Sequence, residues 1–142
     1  MRSTCEQCSP TATHSAFHTR IEAGIAELVI DRPPVNALNS QEWLDLARTL
    51  EALGQDPQVR VIVIRADGRG FCAGVDIKEL DAHPERIVAV NAGNYATFKA
   101  VHRNPVPVIV AVHGYVLGAG LVLPAPPTSW WRPIAQRLPC LK

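Results

Sequence analysis

Two glycine-rich turns are the parts of this sequence whose residue types and spacing suit chemistry. They are FCAGVDIKEL, from Phe71 to Leu80, and GYVLGAGL, from Gly114 to Leu121, and each places small residues where a strand gives way to a helix. The N–H groups at a helix start are unpaired, and glycine or alanine lets a ligand approach them closely. Two such groups aimed at one point would form an oxyanion hole. The same spacing also suits ordinary, tightly packed turns, and from spacing alone that second interpretation is favoured.

A dinucleotide-binding turn is another interpretation of the first of these segments. Residues 68–73 match the pattern G-x-G-x-x-A, which binds a pyrophosphate when the glycines directly follow a strand and open a helix. Here Ala66 and Asp67 separate the preceding strand from the first glycine, and the following helix begins no earlier than Val75. The sequence therefore does not favour nucleotide binding.

The elements that must position these turns alternate between strand and helix, which indicates the α/β class. Apolar runs predict buried strands at Ile25–Ile30, Val59–Arg65 and Val106–Val112. The last two are apolar on both faces except for Arg60 and Arg65, which is typical of neighbouring parallel strands in a sheet that is covered on both sides.

Three helices are predicted between these strands. A capping box from Asn39 to Glu42 opens the first, which ends at Gly54 as its C-cap, and a short second helix is expected over residues 76–80. Pro84 suits the first turn of the third helix. The predicted apolar faces are Trp43, Leu46, Leu50 and Leu53 on the first helix, and Ile87, Val90, Tyr95, Phe98 and Val101 on the third.

Size, composition and charge favour a single soluble globular domain. The chain has 142 residues, 47% hydrophobic and 19% charged, and its net charge of +1 argues against a nucleic-acid or membrane-surface partner. No apolar run approaches the roughly 20 residues of a transmembrane helix, so we expect a cytoplasmic protein without membrane contact. Residues 1–16 are rich in Ser and Thr and are expected to form a disordered leader. Cys5 and Cys8 form an isolated C-x-x-C that no second ligand pair completes, so no metal site is expected.

Three motifs, in this order and spacing, resemble the enoyl-CoA hydratase/isomerase (crotonase) family. They are DRPPVNALN, GRGFCAGVDIKEL and PVPVIVAVHGYVLGAGL, and together they extend from Asp31 to about Leu123. The resemblance implies the N-terminal portion of a crotonase-like (ββα)n spiral fold over residues 17–123, which would bind an acyl-CoA thioester. It implies no separate cofactor, because coenzyme A is part of the substrate. Family members form trimer-based homo-oligomers, through a region expected to be missing here.

The same resemblance implies which residues form the site. The two oxyanion donors fall on the backbone N–H groups of Val75 and Ala119, which would polarise the thioester carbonyl and hold an enolate. The first acid–base position, three residues after the second donor, is occupied by Val122, which cannot transfer a proton. His113 replaces the usual asparagine and is interpreted as a neutral substitution rather than a base. The residues implied to line the coenzyme A and the thioester are Val35, Asn36, Ala37, Leu38, Ala73, Gly74, Val75, Asp76, Ile77, Gly118 and Ala119.

Residues 124–142 depart from the family pattern. They hold five of the chain's 12 prolines, which predicts neither a regular helix nor a central strand. In a reading frame shifted by one base, the permitted codons include AADIVVASDRATFALPE, which resembles the family segment with the second catalytic glutamate. That glutamate arises at the junction of Leu141 and Lys142. We interpret residues 124–142 as a frameshifted tail.

Three functions are compatible with the sequence. The first is an enzyme of fatty-acid or related acyl-CoA metabolism, acting through an enolate as a hydratase, an isomerase or a related enzyme. The second is a catalytically inactive, truncated remnant with at most residual coenzyme A binding. The third is a peptide ligand that uses Trp130, Trp131 and the neighbouring prolines. Turnover of crotonyl-CoA would separate the first function from the second.

Overall fold

The main sheet brings together the strands that precede both glycine turns. A computed structural model describes residues 16–124 and the backbone of residues 130–131, so the predicted leader and most of the predicted tail lie outside the described residues. The sheet has five strands in the order β1-β2-β4-β6-β7. Their bounds are β1 Phe17–Glu22, β2 Ile25–Ile30, β4 Val61–Ala66, β6 Val108–Ala111 and β7 Trp130–Trp131.

The pairing of β4 with β6 is parallel and adjacent, which confirms the prediction made from their apolar runs. β2 also pairs with β4 in parallel, whereas β1 is antiparallel to β2. β1 was not predicted, because most of its side chains are exposed and its sequence, FHTRIE, lacks an apolar run. β7 pairs in parallel with β6 at the end of the strand order, a contact that the proline-rich sequence around it did not predict.

The expectation that the sheet is covered on both faces is wrong for the described residues. Along β4, Ile62 and Ile64 are buried against the helices, whereas Val61, Val63 and Arg65 on the opposite face are only half-buried. The alternation is typical of a sheet with one packed face.

Helix α1, Ser40–Gln55, begins where its capping box predicted. The Asn39 side chain accepts the Glu42 N–H at 2.8 Å, and the Glu42 carboxylate accepts the Asn39 N–H at 2.7 Å. The predicted C-cap at Gly54 is wrong, because the helix continues to Gln55 and Asp56 is the C-cap. Packing explains why glycine occupies position 54, since a Cβ there would lie 2.5 Å from the Asn104 side-chain oxygen. The predicted apolar side of α1 is buried, as expected: Trp43, Leu46, Leu50 and Leu53.

The predicted apolar face of α3, Ile87–His102, is correct only at Val90 and Val101. Ile87, Tyr95 and Phe98 are 44%, 70% and 38% exposed instead.

Close approach of the two long helices explains why small residues of α3 face α1. A Cβ on Gly93 would lie 2.7 Å from the Trp43 Cβ, and the Thr97 hydroxyl donates to the Trp43 carbonyl at 3.0 Å. The residues of α3 that pack against α1 are therefore small, and several large ones point outward. No helix in residues 16–124 is long and apolar enough to cross a membrane.

Candidate active site

Asn36 holds the loop that leads into the first glycine turn. It is 3% exposed, and its backbone has a left-handed φ of 55°. Its side-chain oxygen accepts the Arg32 N–H at 2.8 Å, and its side-chain nitrogen donates to the carbonyls of Asp67 at 2.7 Å and Gly70 at 3.0 Å. The side chain of this predicted coenzyme A contact is therefore committed to fixing the loop.

Two short strands, β3 Ala37–Leu38 and β5 Gly74–Val75, fix the backbone of the first predicted donor. They pair in parallel, with Ala37 opposite Gly74 and Leu38 opposite Val75. The Asp76 N–H donates to the Leu38 carbonyl at 2.9 Å. Successive N–H groups of a strand point to opposite sides, so the Val75 N–H points away from β3.

The second glycine turn forms a 3₁₀ helix, Gly118–Val122. Its first internal hydrogen bond joins the Gly120 N–H to the Leu117 carbonyl at 2.8 Å. The Ala119 N–H precedes that bond and so has no partner inside the helix. The turn is also tied to the first one, since the Leu117 N–H donates to the Cys72 carbonyl at 3.0 Å.

Gly74 is the point where the two turns approach each other. Its φ of +94° favours glycine, and a Cβ there would lie 2.8 Å from the Leu117 carbonyl oxygen and 3.1 Å from the Ala119 nitrogen. Because the Val75 nitrogen is bonded to the Gly74 carbonyl carbon, covalent geometry limits the distance between the Val75 and Ala119 nitrogens to about 7 Å. The backbone segments that carry the two predicted donors therefore lie side by side at Gly74.

Gly120 and Cys72, next to the contact between the two turns, are buried and tightly packed. A Cβ on Gly120 would lie 2.9 Å from the Cys72 carbonyl oxygen, and Cys72 itself is fully buried. Burial raises the pKa of the Cys72 thiol to about 11, although the Gly74 N–H that points at its sulfur partly opposes that shift. A thiol with so high a pKa is a packing group and not a nucleophile at neutral pH.

The two carboxylates that follow Val75 in the sequence are both engaged in the fold. Asp76 caps helix α2, Ile77–Ala82, by accepting the Lys78 N–H at 3.1 Å. Glu79 accepts the N–H of Ser40 at 2.7 Å and the Arg86 guanidinium at 2.6 Å. Burial alone would raise the pKa of Glu79, but the hydrogen bonds from Arg86 and Ser40 outweigh it and lower the pKa. The oxygens of both carboxylates are occupied by hydrogen bonds within the fold, which does not suit a proton-transfer role.

Arg32 is a residue of the site that the sequence did not identify. Its Nε donates to Glu42 at 2.7 Å, and its Nη2 donates to Asp76 at 2.9 Å. Arg32 stands in the DRPPVNALN motif, but Asp76 is 44 positions away along the chain. Nothing in the local pattern indicates so distant a partner.

The remaining predicted residues lie at the edge of the same region. Val35 and Ile77 are 41% and 77% exposed, and Val122 lies half-buried in the 3₁₀ helix. The His113 Nε2 lies 3.0 Å from the Gly68 carbonyl oxygen. Within residues 16–124, no three His, Cys, Asp or Glu side chains come together as a metal site.

Comparison with known proteins identifies the family. Residues 20–125 match the sequence profile of the enoyl-CoA hydratase/isomerase family. Over 107 residues the chain is 44% identical to the (7aS)-7a-methyl-1,5-dioxo-2,3,5,6,7,7a-hexahydro-1H-indene-carboxyl-CoA hydrolase of Mycobacterium tuberculosis, a match that covers 74% of this chain and 43% of that protein. It is 37% identical over 105 residues to human enoyl-CoA hydratase domain-containing protein 2, mitochondrial, covering 72% and 36%. The crystal structure of an enoyl-CoA hydratase from Mycobacterium smegmatis matches with a TM-score of 0.69 and 34% identity, covering 74% and 42%.

The fold is that of the N-terminal portion of a crotonase-like protein. The chain belongs to the enoyl-CoA hydratase/isomerase family, which confirms the resemblance seen in the three sequence motifs. It spans 43% of the length of the mycobacterial hydrolase and 42% of the length of the mycobacterial hydratase.

Proposed function

We propose that this chain carries the part of an acyl-CoA enzyme that binds the thioester and polarises its carbonyl. The backbone N–H groups of Val75 and Ala119 donate to the thioester oxygen and stabilise the enolate that forms when the adjacent carbon loses a proton. One observation carries the proposal: a Cβ on Gly74 would lie 3.1 Å from the Ala119 nitrogen. That close approach brings together the two segments that carry the proposed donors, which supports a shared acceptor.

The substrate class proposed is a coenzyme A thioester. The hydrolase from M. tuberculosis acts, by its name, on a bicyclic dioxo carboxyl-CoA, and the protein from M. smegmatis is an enoyl-CoA hydratase. Their acyl groups differ, whereas the thioester is common to both. The thioester carbonyl is also the group that two converging N–H donors recognise.

The coenzyme A portion is proposed to lie along residues 35–38 and 73–77. These segments contain the paired strands β3 and β5, and Val35 and Ile77 at their outer ends expose apolar side chains. Exposed apolar side chains beside a strand edge can cover the flat adenine ring and the pantetheine chain. A cytoplasmic location and a homo-oligomeric whole protein belong to the same proposal and rest on the family.

The reaction type depends on the groups that move protons. Val122 has no titratable group, and a single proton-transfer group typically contributes about 10²–10⁴-fold to rate. A conventional two-glutamate hydration is therefore disfavoured. Isomerisation or another enolate reaction that needs one acid–base group fits the residues better, with fatty-acid or related acyl-CoA metabolism as the setting.

A catalytically inactive remnant with residual coenzyme A affinity is the alternative, and the predicted frameshift of residues 124–142 favours it. The test expresses the chain as given and a version whose frame is restored between codons 118 and 125. Each is assayed with crotonyl-CoA and a 3-enoyl-CoA, and coenzyme A binding is measured in parallel. We expect turnover only from the restored version. Equal turnover by both would contradict the frameshift interpretation and the remnant alternative together.

The proposed donors can be tested directly with an acyl-CoA labelled with ¹³C at the thioester carbonyl. The carbonyl stretching frequency of the bound ligand should be lower than that of the free ligand in water, because two donors polarise the bond. Ala119→Pro removes one N–H and should shrink this shift, whereas Ala119→Ser keeps the N–H and serves as the matched control. Absence of a shift in the unmodified protein, or an equal shift in the two variants, would refute the oxyanion role.

A further inference from the structure

Helix α2, which directly follows Val75, is held in place by polar contacts and not by the core. None of its residues is buried, and Ile77 at its start is 77% exposed. A helix of six residues without a buried side chain has little intrinsic stability. The position of the backbone at Val75 and Asp76 therefore depends on the contacts that tie this short helix to its neighbours, in addition to the pairing of β3 with β5.

Arg32 makes one of these ties by joining the capping carboxylates of two helices. In Glu42, Oε2 accepts the Asn39 N–H at 2.7 Å, which caps α1, and Oε1 accepts the Arg32 Nε at 2.7 Å. In Asp76, Oδ1 accepts the Lys78 N–H at 3.1 Å, which caps α2, and Oδ2 accepts the Arg32 Nη2 at 2.9 Å. Each carboxylate thus uses one oxygen for its own helix and the other for the same guanidinium.

The geometry of this bridge favours a role in positioning. The side chains of Arg32, Glu42 and Asp76 are only 28%, 19% and 18% exposed, so solvent screens the interaction less than it screens a surface pair. A guanidinium is planar and rigid, so its Nε and Nη2 hold the two carboxylates at a fixed separation. The longer α1, with its buried Trp43, provides the fixed end.

We propose that Arg32 is a positioning residue that fixes the Val75 N–H donor, acting through Asp76. The inference rests on the proposed function, because it assigns Arg32 to the oxyanion site. Asp76 is the next residue after Val75, and its own N–H is bonded to the Leu38 carbonyl at 2.9 Å. Loss of the bridge should let α2 shift and turn the Val75 N–H away from the position it shares with Ala119.

The test compares Arg32→Gln and Arg32→Lys with Arg20→Gln. Arg20 pairs with Glu22 at 2.5 Å on β1, where its side chain is 71% exposed, so this control removes an ion pair far from the site. In the ligand-free proteins, amide hydrogen exchange at Asp76 should accelerate in both Arg32 variants but not in the control, while the amides of β4 stay protected. Lysine should not restore protection, because its single ammonium cannot reproduce the two-point bridge.

The second readout is the ¹³C carbonyl shift of a bound acyl-CoA. It should be smaller in Arg32→Gln than in Arg20→Gln, and a merely stabilising residue would leave it unchanged in the folded protein. Unchanged exchange at Asp76, full rescue by lysine, or an undiminished carbonyl shift in Arg32→Gln would overturn the role of Arg32. Absence of any shift in the unmodified protein would overturn the proposed function itself, and with it the assignment of Arg32 to the site.

Discussion

Replacing Gly74 by alanine tests whether the two glycine turns meet as closely as the structure indicates. Gly74 and Gly68 have similar positive φ angles, +94° and +91°, but their surroundings differ. A Cβ on Gly74 would lie 2.8 Å from the Leu117 carbonyl oxygen, whereas a Cβ on Gly68 would meet nothing within 4 Å. Gly68→Ala is therefore a control that introduces alanine at a similar positive φ without the crowding.

The expected magnitudes follow from these two terms. Placing alanine at a positive φ should cost about 1–2 kcal/mol of unfolding free energy in either variant. Crowding in a packed region adds about 1–3 kcal/mol, and only Gly74→Ala incurs it. With a urea dependence of about 1–3 kcal/mol per molar for a small protein, a difference near 2 kcal/mol lowers the unfolding midpoint by about 1 M relative to Gly68→Ala.

Urea unfolding followed by far-ultraviolet circular dichroism provides the measurement. The carbonyl shift of a labelled acyl-CoA should also fall in Gly74→Ala, because the added methyl group pushes the Ala119 nitrogen away. Equal midpoints for the two variants would show that Gly74 is not crowded by the second turn. The inferred distance between the proposed donors would then be wrong.

Three further outcomes are expected. Cys72 should react slowly with iodoacetamide at about pH 8, because burial raises its pKa to about 11. Peptide mapping should find Cys72 labelled quickly only in urea. Fast labelling of Cys72 in the folded protein would contradict its burial. The unfolding free energy should fall as the pH drops below 4.5, because the hydrogen bonds of Glu79 to Arg86 and Ser40 outweigh its burial and lower its pKa from that ordinary value. A carboxyl with a lowered folded-state pKa contributes stability above its unfolded-state pKa and loses it on protonation, so Glu79→Gln should flatten this acid dependence. Asn36→Ala should cost about 2–4 kcal/mol in the same urea assay, since it leaves two backbone carbonyls and one N–H without their partner; a loss below about 1 kcal/mol would contradict the structural role.

Local patterns allowed the first long helix to be predicted, because its determinants are close together in sequence. The capping box of Asn39 and Glu42 lies within one turn, and the apolar face of α1 repeats at helical spacing. The third helix was predicted as an element, but its buried face was not. Periodicity favours large apolar residues inside, whereas Gly93 and Thr97 face α1 because the helices approach closely. The distance between α1 and α3 is set by tertiary packing, and no local sequence pattern indicates it.

The candidate site also contains residues that the sequence predicted and one that it could not predict. The donor positions Val75 and Ala119 came from the family resemblance, and the structure brings the segments that carry them together at Gly74. Arg32 could not be predicted, because its two partners come together only when the fold brings the N-terminal ends of α1 and α2 near each other. An arginine beside two prolines has the same local pattern whether it is solvated or bridges two helices.

In the proposed function, polarisation of the thioester carbonyl and proton transfer at the adjacent carbon depend on different groups. The proposed donors are backbone groups positioned by β3, β5 and the Leu117–Cys72 hydrogen bond, all of which lie within residues 16–124. Proton transfer requires a titratable side chain, and Val122 supplies none at the first position where the family places one. A backbone N–H group can donate whatever side chain its residue carries, provided that the turn can accommodate it. Polarisation of the carbonyl therefore depends on small residues, glycine and alanine, at the crowded positions and not on an acidic side chain. Under the proposed function, the expected state of the chain as given is a polarised carbonyl without turnover. If the frameshift interpretation is correct, restoring the frame returns a glutamate that should convert binding into catalysis.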